Sequence, residues 1–336
     1  METRKLYYED PFQKGFATTV VSCDEVKGGY AVVLAETAFY PEGGGQPYDT
    51  GVLGEANVLE VHEKNGVITH LCDKPFEVGK SVSGKIDWAR RFDHMQQHSG
   101  EHICSGLICE RFHCDNVGFH MGADVVTIDF NADISWDELM EIEQLANLYI
   151  YEDHPIDIQF YRGAELDKVE YRSKKPLEGD VRIVSFPGAD CCACCGTHVV
   201  RSGQVGLVKF LSVQKFRDGV RIELLSGKRA HRYLSECWAQ DVRIAQALSV
   251  KPNASFAGVE RVLAELSALK QRCAKLEESV FAQTAAQYEG KGDVLLFEDE
   301  MSGDSLRKLC DAVTNHCGGR CAVFAGADGA YKYAIG

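Results

Sequence analysis

Three histidines in one short segment have the spacing expected of metal ligands on a helix. His94, His98 and His102 lie four residues apart, and side chains at that spacing share one face of an α-helix. Imidazole nitrogens are common zinc ligands, so two neighbouring members of the series can hold one ion from two points. The spacing alone does not choose between His94 with His98 and His98 with His102.

A cysteine-rich segment about ninety residues further on offers a second set of ligands. Thiolate and imidazole together suit zinc, which requires no redox partner. Each segment alone has a simpler explanation, because histidine pairs occur on solvated helix faces and cysteines often pack as small apolar side chains. Together the two segments predict one zinc site. The second segment supplies Cys191, Cys192, Cys194, Cys195 and His198.

A zinc ion with an open coordination position would suit ester hydrolysis. Such an ion acidifies water to a pKa near neutrality and polarises a carbonyl oxygen. A closed set of four protein ligands is instead typical of a structural site. The residues therefore leave two functions open: a zinc hydrolase, and an RNA-binding module in which the metal only joins two segments.

The elements that must position these residues follow from the patterning along the chain. With 336 residues, several domains are expected. Residues 1–88 contain short runs rich in valine, threonine and tyrosine between glycines, which predicts a small β-barrel. Residues 89–227 alternate helix and strand, and therefore predict an α+β domain that carries the zinc site. Within it, Ser135 and Glu138 form a capping-box pattern before a second helix.

The last third of the chain is predicted to be helical and then α/β. Residues 228–290 read as about sixty residues of helix, and a heptad stripe of apolar residues runs from Val259 to Val280. This stripe could pair within the chain or form a homodimer. Residues 291–336 predict strand, helix and strand of a small α/β unit that is barely long enough to close. The predicted fold class is α+β.

Composition excludes some classes of protein. No run approaches the ~20 apolar residues that span a bilayer, and residues 1–10 contain no apolar signal-peptide core. A cytoplasmic protein without membrane contact is therefore expected, with its fourteen cysteines reduced or bound to metal.

The charge distribution is uneven. A formal net charge of −14 argues against a surface that binds nucleic acid everywhere. Any one basic cluster is usually just a solvated face, but three clusters in the same third of the chain favour a local polyanion site. The clusters are Arg172, Lys174 and Lys175; Lys209, Lys215, Arg217 and Arg221; and Lys228, Arg229 and Arg232.

A glycine-rich loop lies in the predicted barrel. It reads Gly43-Gly44-Gly45-Gln46-Pro47, with Asp49 and Gly51 after it. Successive glycines allow positive φ and leave backbone amides uncovered. The loop is therefore either a plain connection between strands or a place where another group approaches closely.

Taken together, these motifs resemble the editing domain of alanyl-tRNA synthetase and its free-standing AlaX-type relatives. The likeness runs from about Phe39 to Leu225, and a weaker one in the tail is to the DHH-associated domain of long AlaX proteins. The residues that carry it are the glycine-rich loop, Arg91, His98-Ser99-Gly100-Glu101-His102, Cys194-Cys195-Gly196-Thr197-His198-Val199 and Asp328-Gly329-Ala330-Tyr331-Lys332.

The resemblance implies a substrate and a reaction. The substrate would be tRNA for alanine that is mischarged with serine, and also with glycine, and the reaction would be hydrolysis of the aminoacyl ester. An alanine pocket cannot strongly reject a side chain that merely adds a hydroxyl, so a second, hydrolytic site is required. By matching positions, the resemblance selects as zinc ligands His98, His102, Cys194 and His198.

Three further residues are candidates for the reaction itself. Gln46 and His120 either contact substrate or orient water, or have a structural role. Thr197 either hydrogen-bonds a ligand or the serine hydroxyl, or caps the local backbone. Glu101 lies between the two histidines, but a helix residue one position before His102 is expected to point away from the metal.

Two other classes of enzyme remain open. The segment from His98 to His102 also matches the His-x-x-Glu-His signature of inverzincin peptidases, although such enzymes need a downstream glutamate ligand rather than a cysteine-rich segment. A related domain could also edit threonine-type tRNA.

Overall fold

The computed structural model describes residues 2–173 and 179–336. The chain divides into two compact units, residues 1–236 and 237–336. Several antiparallel sheets and helices are present, which confirms the mixed α+β class. The division into four segments stays a prediction, and Lys174 and Lys175 of the first basic cluster lie outside the described residues.

The first unit is built mainly of strands around one long helix. Its elements are β1 (Arg4–Lys5), α1 (Leu6–Glu9), β2 (Gly15–Val26), β3 (Gly29–Leu34), β4 (Glu36–Thr37), β5 (Gly51–Leu53), β6 (Ala56–Lys64), β7 (Val67–Cys72), β8 (Ser81–Ile86), α2 (Trp88–Phe112), β9 (Asn116–Met121), β10 (Val126–Phe130), α3 (Trp136–Tyr151), β11 (Asp157–Arg162), β12 (Asp180–Phe186), β13 (Asp190–Ala193), β14 (Val208–Phe216) and β15 (Gly219–Ser226). The next helix, α4 (Gly227–Leu248), begins in this unit and ends in the second.

Six strands of the N-terminal region close into a barrel in the order β2-β3-β7-β6-β5-β8. Side chains of β2 alternate between exposed and buried, as expected for a strand with one face on a core. Val20, Val32, Val61 and Ile68 meet inside the barrel. The glycine-rich loop connects β4, which lies outside the barrel, to the barrel strand β5. Its Gln46 side chain contacts α2.

Helix α2 runs through the centre of the first unit. The Asp87 side chain caps its start by accepting from the Arg90 amide, and His113 ends it in the left-handed conformation. The sheet β14-β15-β10-β9 packs against it. Two glycines of α2 allow other segments to approach the helix closely. A Cβ at Gly100 would lie 2.1 Å from Ser226 Oγ at the end of β15, and one at Gly106 would lie 2.0 Å from the Ala189 carbonyl oxygen before β13.

A buried ion pair fastens α2 to the loop before β5. Arg91 and Asp49 are both fully buried, and Arg91 Nε donates to Asp49 Oδ2 at 2.9 Å. Arg91 also donates to the Ala38 carbonyl at 2.6 Å, and Asp49 accepts from the Tyr40 amide at 2.8 Å. These contacts set the position of the glycine-rich loop relative to the helix.

The predicted capping box is present at the start of α3, where Ser135 and Glu138 exchange hydrogen bonds with each other's backbone amides. The sequence analysis missed β9 and β13. Strand β9 contains Gly118 and is short, and β13 lies inside the cysteine-rich segment, so neither shows a clear strand pattern.

The second unit contains α5 (Ser255–Gln287), β16 (Gly292–Glu298), α6 (Gly303–Cys317), β17 (Gly318–Ala325) and β18 (Lys332–Ile335). Its small core includes Leu306, Leu309 and Val323. The segment predicted to be helical contains α4 and α5, which are separated where Ser249 has positive φ and Pro252 starts a short 3₁₀ turn. The heptad stripe lies exposed on α5, and the homodimer stays a prediction. No helix in the described part of the chain is long and apolar enough to cross a bilayer.

Candidate metal centre

Helix α2 and the segment after β13 bring four potential ligands together. The helix supplies His98 and His102, and the segment supplies Cys194 and His198. One nitrogen or sulfur atom of each lies within 4.8 Å of the corresponding atoms of the other three. Cys194 Sγ is 3.4 Å from His98 Nε2.

The protonation states of His198 and Cys194 suit a metal. His198 is fully buried, and burial lowers its pKa well below the ordinary value, so its ring is neutral. Burial opposes ionisation of Cys194, but its interactions with the imidazole rings of His98, His198 and His102 outweigh burial and lower the pKa of this thiol. A neutral imidazole and a thiolate are the forms that bind zinc.

The strongest sign that a ligand belongs here is His198. Neither of its ring nitrogens has a hydrogen-bond partner among the described residues. A buried polar group without a partner costs about 1–3 kcal/mol, which coordination to a metal ion would offset. The donor set and this unpartnered ring therefore fit a zinc ion.

Gln46 from the glycine-rich loop orients His98. Its Oε1 lies 2.9 Å from His98 Nδ1 and accepts from the Thr197 amide at 3.1 Å. Its Nε2 donates to Thr197 Oγ1 at 2.9 Å. Because Nδ1 of His98 is engaged with an acceptor, Nε2 is the nitrogen that remains for a metal. Gln46 and Thr197 are buried, and they hold the ligands in place.

Asp190 and Arg172 orient His102 in the same way. Asp190 Oδ2 lies 2.8 Å from His102 Nδ1, and Arg172 binds both oxygens of Asp190, at 2.7 and 2.8 Å. Burial opposes protonation of His102, but Asp190 outweighs it and raises the pKa of this ring to about 10. The sequence analysis missed Asp190, whose only signal was its place immediately before the cysteine-rich segment.

A cavity of about 420 Å³ opens beside the four ligands, and we call it the metal pocket. His98, His102 and Cys194 line it together with Gly44, Gly45 and Phe119. His198 is not among the lining residues. A substrate in the metal pocket would therefore meet the other three ligands, with His198 behind them.

Glu101 also lines the metal pocket, although it does not belong to the group of ligand atoms that converge there. Strand β9 and the cysteine-rich segment enclose α2 on adjacent sides, and residues next to each other on the helix therefore face the same cavity. Glu101 is buried, and its Oε1 accepts from Ser105 Oγ at 2.7 Å and Asn116 Nδ2 at 2.8 Å.

The glycine-rich loop is a place of close approach rather than a plain connection. Gly44 and Gly45 have φ of +59° and +81°, which favours glycine. A Cβ at Gly45 would lie 2.5 Å from the Phe119 ring. That ring stacks on His98, with ring centroids 5.1 Å apart, so the loop and β9 enclose one side of the ligand cluster.

The other sequence candidates do not belong to the four-ligand cluster. His94 is outside the cluster and lines a separate cavity. Cys195 Sγ is 3.9 Å from the Tyr40 hydroxyl. Cys192 could join His102 and Asp190 in an alternative metal-binding group. His120 is exposed on β9 and follows Phe119, so alternation along the strand directs it away from the metal pocket; its proposed role stays a prediction.

Comparisons with known proteins agree with this geometry. Residues 181–223 match the family model of the threonyl and alanyl tRNA synthetase second additional domain, and residues 9–90 match that of class II (A) tRNA synthetases.

Individual relatives cover most or all of the chain. An alanine–tRNA ligase of Pyrococcus abyssi is 34% identical over all of this chain, which spans only 38% of the ligase. The alanyl-tRNA editing protein AlaX-L of Pyrococcus horikoshii is 31% identical over 89% of the chain and 75% of the relative. The alanyl-tRNA editing protein Aarsd1-A of Xenopus laevis is 30% identical over 84% of the chain and 73% of the relative.

Proposed function

The chain belongs to the AlaX/Aarsd1 family of alanyl-tRNA editing proteins, and on this basis we propose that it is a zinc-dependent hydrolase of mischarged tRNA for alanine. Its substrate is the serine ester, and also the glycine ester. The observation that carries the proposal is the convergence of His98, His102, Cys194 and His198 beside a cavity. A structural zinc site would not need such a cavity.

The reaction is addition of water to the ester. Water attacks the carbonyl carbon, the bond to the ribose oxygen breaks, and a proton passes to the departing ribose hydroxyl. A bound zinc ion would supply acidified water and polarise the carbonyl oxygen. Gln46 and Asp190 hold the two helix histidines in the orientation that ligation requires.

Glu101 is our candidate for holding the α-ammonium group of the ester. Its Oε1 is held by Ser105 and Asn116, and Oε2 makes no hydrogen bond to the described residues. A carboxylate that is already buried and oriented binds an ammonium group with little reorganisation. This places a negative charge in the metal pocket beside the ligands, where an amino acid ester carries its positive charge.

The test is deacylation of Ser-tRNA and Ala-tRNA for alanine, with and without a chelator and with zinc restored afterwards. We expect the serine ester to decay, the chelator to stop the decay and zinc to restore it. A His98→Ala variant should be inactive, while His62→Ala, an exposed histidine on the barrel, is the matched control. Decay of the serine ester no faster than in a protein-free blank would refute the proposal.

The same assay separates the alternatives. An RNA-binding module with a structural zinc would bind tRNA and contain stoichiometric metal but leave the ester intact. An enzyme for threonine-type tRNA would prefer Ser-tRNA for threonine. A peptidase of the inverzincin type would cleave a peptide substrate and would lose activity, with zinc retained, in a Glu101→Gln variant.

A further inference from the structure

A second cavity, of about 430 Å³, lies at the N-terminal part of α2 and carries several basic side chains. We infer that this basic cavity binds a phosphate group of the RNA whose charged end occupies the metal pocket. The identity of the RNA rests on the proposed function. The residues that line the basic cavity include Pro47, Arg90, His94, Lys228, Arg229 and Arg232.

Three residues of the other two basic clusters are paired within the fold. Arg172 binds Asp190, Lys209 binds Glu143 and Arg221 binds Asp129. Such pairs have their charge compensated and offer little to an outside anion. The third cluster differs because all three of its residues, Lys228, Arg229 and Arg232, line one cavity.

The basic cavity holds one carboxylate, and an arginine of the cavity already neutralises it. Arg229 Nε donates to Asp93 Oδ2 at 2.9 Å, and its Nη2 donates to the same oxygen at 2.7 Å. Arg90, Lys228 and Arg232 then remain as the excess cations. Arg232 has Glu236 as its nearest carboxylate, 4.0 Å away on an exposed helix face, where such a pair contributes little.

Arg90 can bind an anion through the two terminal nitrogens of its guanidinium group. Its Nε donates to the Tyr48 carbonyl at 3.0 Å, which anchors the side chain. In the described part of the chain, the two terminal nitrogens of Arg90 and the ammonium group of Lys228 make no ion pair. A phosphate can accept hydrogen bonds from both residues, and an arginine fork matches phosphate geometry.

His94 provides an independent sign that a polar ligand enters the basic cavity. Only 3% of its surface is exposed, and its Nδ1 has no hydrogen-bond partner among the described residues. Burial and the charges of Arg90 and Arg229 lower its pKa to about 3, so the ring is neutral and presents one N–H donor. An anion would compensate the positive surroundings and supply an acceptor.

The basic cavity and the metal pocket are neighbours along the same elements. His94 precedes His98 by four residues, a rise of about 6 Å along α2. In the glycine-rich loop, Gly45 lines the metal pocket and Pro47 lines the basic cavity. A strand whose terminal ribose lies in the metal pocket can therefore bring a nearby backbone phosphate to the basic cavity. Phosphate contacts of this kind position a nucleic acid without reading its sequence.

The test measures binding of uncharged tRNA for alanine to the zinc-loaded full chain at several salt concentrations. The variant is Lys228→Ala/Arg232→Ala, two exposed positions, and the control is Lys27→Ala/Lys74→Ala, two exposed lysines on barrel turns. We expect the first variant to weaken binding about 10-fold and to reduce the salt-dependence slope by about 1–2. The control should change neither quantity, and both variants should retain zinc.

A second variant isolates the histidine. His94→Leu should weaken tRNA binding, and His94→Gln, which retains an N–H donor, should recover much of it. Inorganic phosphate is the probe for a small-molecule ligand. Equal affinity and slope in Lys228→Ala/Arg232→Ala and the control would overturn the inference. Tight binding of inorganic phosphate together with unchanged tRNA binding would overturn the RNA assignment.

These outcomes are separable from those of the proposed function. If the serine ester is not hydrolysed but the variants weaken tRNA binding as expected, the basic cavity stands and the hydrolase proposal fails. If hydrolysis is normal in every variant and tRNA binding does not change, the basic cavity fails and the hydrolase proposal stands.

Discussion

The metal pocket and the basic cavity use the same helix, and the same residue type, for ligands of opposite charge. His98 and His94 are one turn apart on α2, and both are buried. His98 faces a thiolate of lowered pKa and a buried amide oxygen, whereas His94 faces two arginines. The difference teaches that the groups around a histidine, rather than its place in a repeat, decide whether it serves a cation or an anion.

The largest effect should come from removing the thiolate that distinguishes the metal pocket. Cys194→Ala removes the negatively charged ligand. We expect zinc affinity and the rate of ester hydrolysis to fall by more than the ~100-fold that is typical when a residue supporting a metal ligand is changed. Elemental analysis of purified protein and the deacylation assay measure both. His94→Gln, on the same helix, should retain its zinc. Full metal content in Cys194→Ala would show that the two sites differ less than we infer.

The next largest effect is expected from breaking the buried ion pair of Arg91 and Asp49, which joins α2 to the loop before β5. Arg91→Leu leaves the buried carboxylate of Asp49 without its partner, and breaking such a pair typically costs about 3–5 kcal/mol. Urea unfolding of the first unit measures this change in the free energy of unfolding. Arg90→Ala, one residue earlier and only half buried, should cost much less. Similar losses in both variants would contradict the structural role of Arg91.

A smaller effect is expected from changing Asp190, which hydrogen-bonds to the ligand His102. Asp190→Asn keeps the size of the side chain but removes the charge that orients His102, and zinc affinity should fall by about 10–100-fold. Competition with a chromogenic chelator measures the affinity. The change should appear with little loss of folding stability while zinc is saturating. An unchanged affinity would mean that Arg172 and Asp190 serve only packing.

The smallest effect is expected at His70, a buried histidine of the barrel that lies outside both the metal pocket and the basic cavity. His70 bonds to Thr37 and to the Val32 carbonyl in the barrel, and burial lowers its pKa to about 4. The unfolded chain, with an ordinary pKa of about 6.5, binds more protons between pH 4 and 6.5. The contribution of His70 to stability is therefore present above pH 6.5 and falls as the pH drops through this window.

A His70→Gln variant tests this pH dependence. The difference in urea midpoint between the parent protein and the variant should change between pH 7 and pH 4, and stay constant above pH 7. Because the two proteins share their other titrating groups, the difference isolates His70. A constant difference across the whole range would show that His70 is not held neutral.

Much of the local structure was predictable. The four-residue spacing of His94, His98 and His102 indicated a helix, which is α2, and the capping-box pattern at Ser135 was found as expected. These features depend on neighbours within four residues. Strands β9 and β13 were not predictable, although each pairs with a neighbouring strand in the chain, because a glycine in β9 and cysteines in β13 make their composition atypical of strands.

The candidate site was predictable only in its residue types. Histidine and cysteine at these spacings indicated zinc, and the resemblance selected the four ligands. Asp190, Arg172 and Phe119 could not be identified, because nothing in the local sequence reports a contact across 88 residues such as that of Asp190 with His102. The position of Glu101 in the wall of the metal pocket could not be identified for a related reason, because helix spacing does not show which elements pack against each side of the helix.

By itself the sequence determined a helix with a ladder of histidines, a cysteine-rich segment, and membership of a family whose motifs it shares. Only the tertiary structure decided which histidines meet the cysteine segment. His94 and His102 share a helix face, but they are about 12 Å apart along its axis, so different elements of the fold meet them. One end of that face meets a thiolate, and the other meets the arginines of α2 and α4, since long-range packing rather than local spacing sets the charge around each ring.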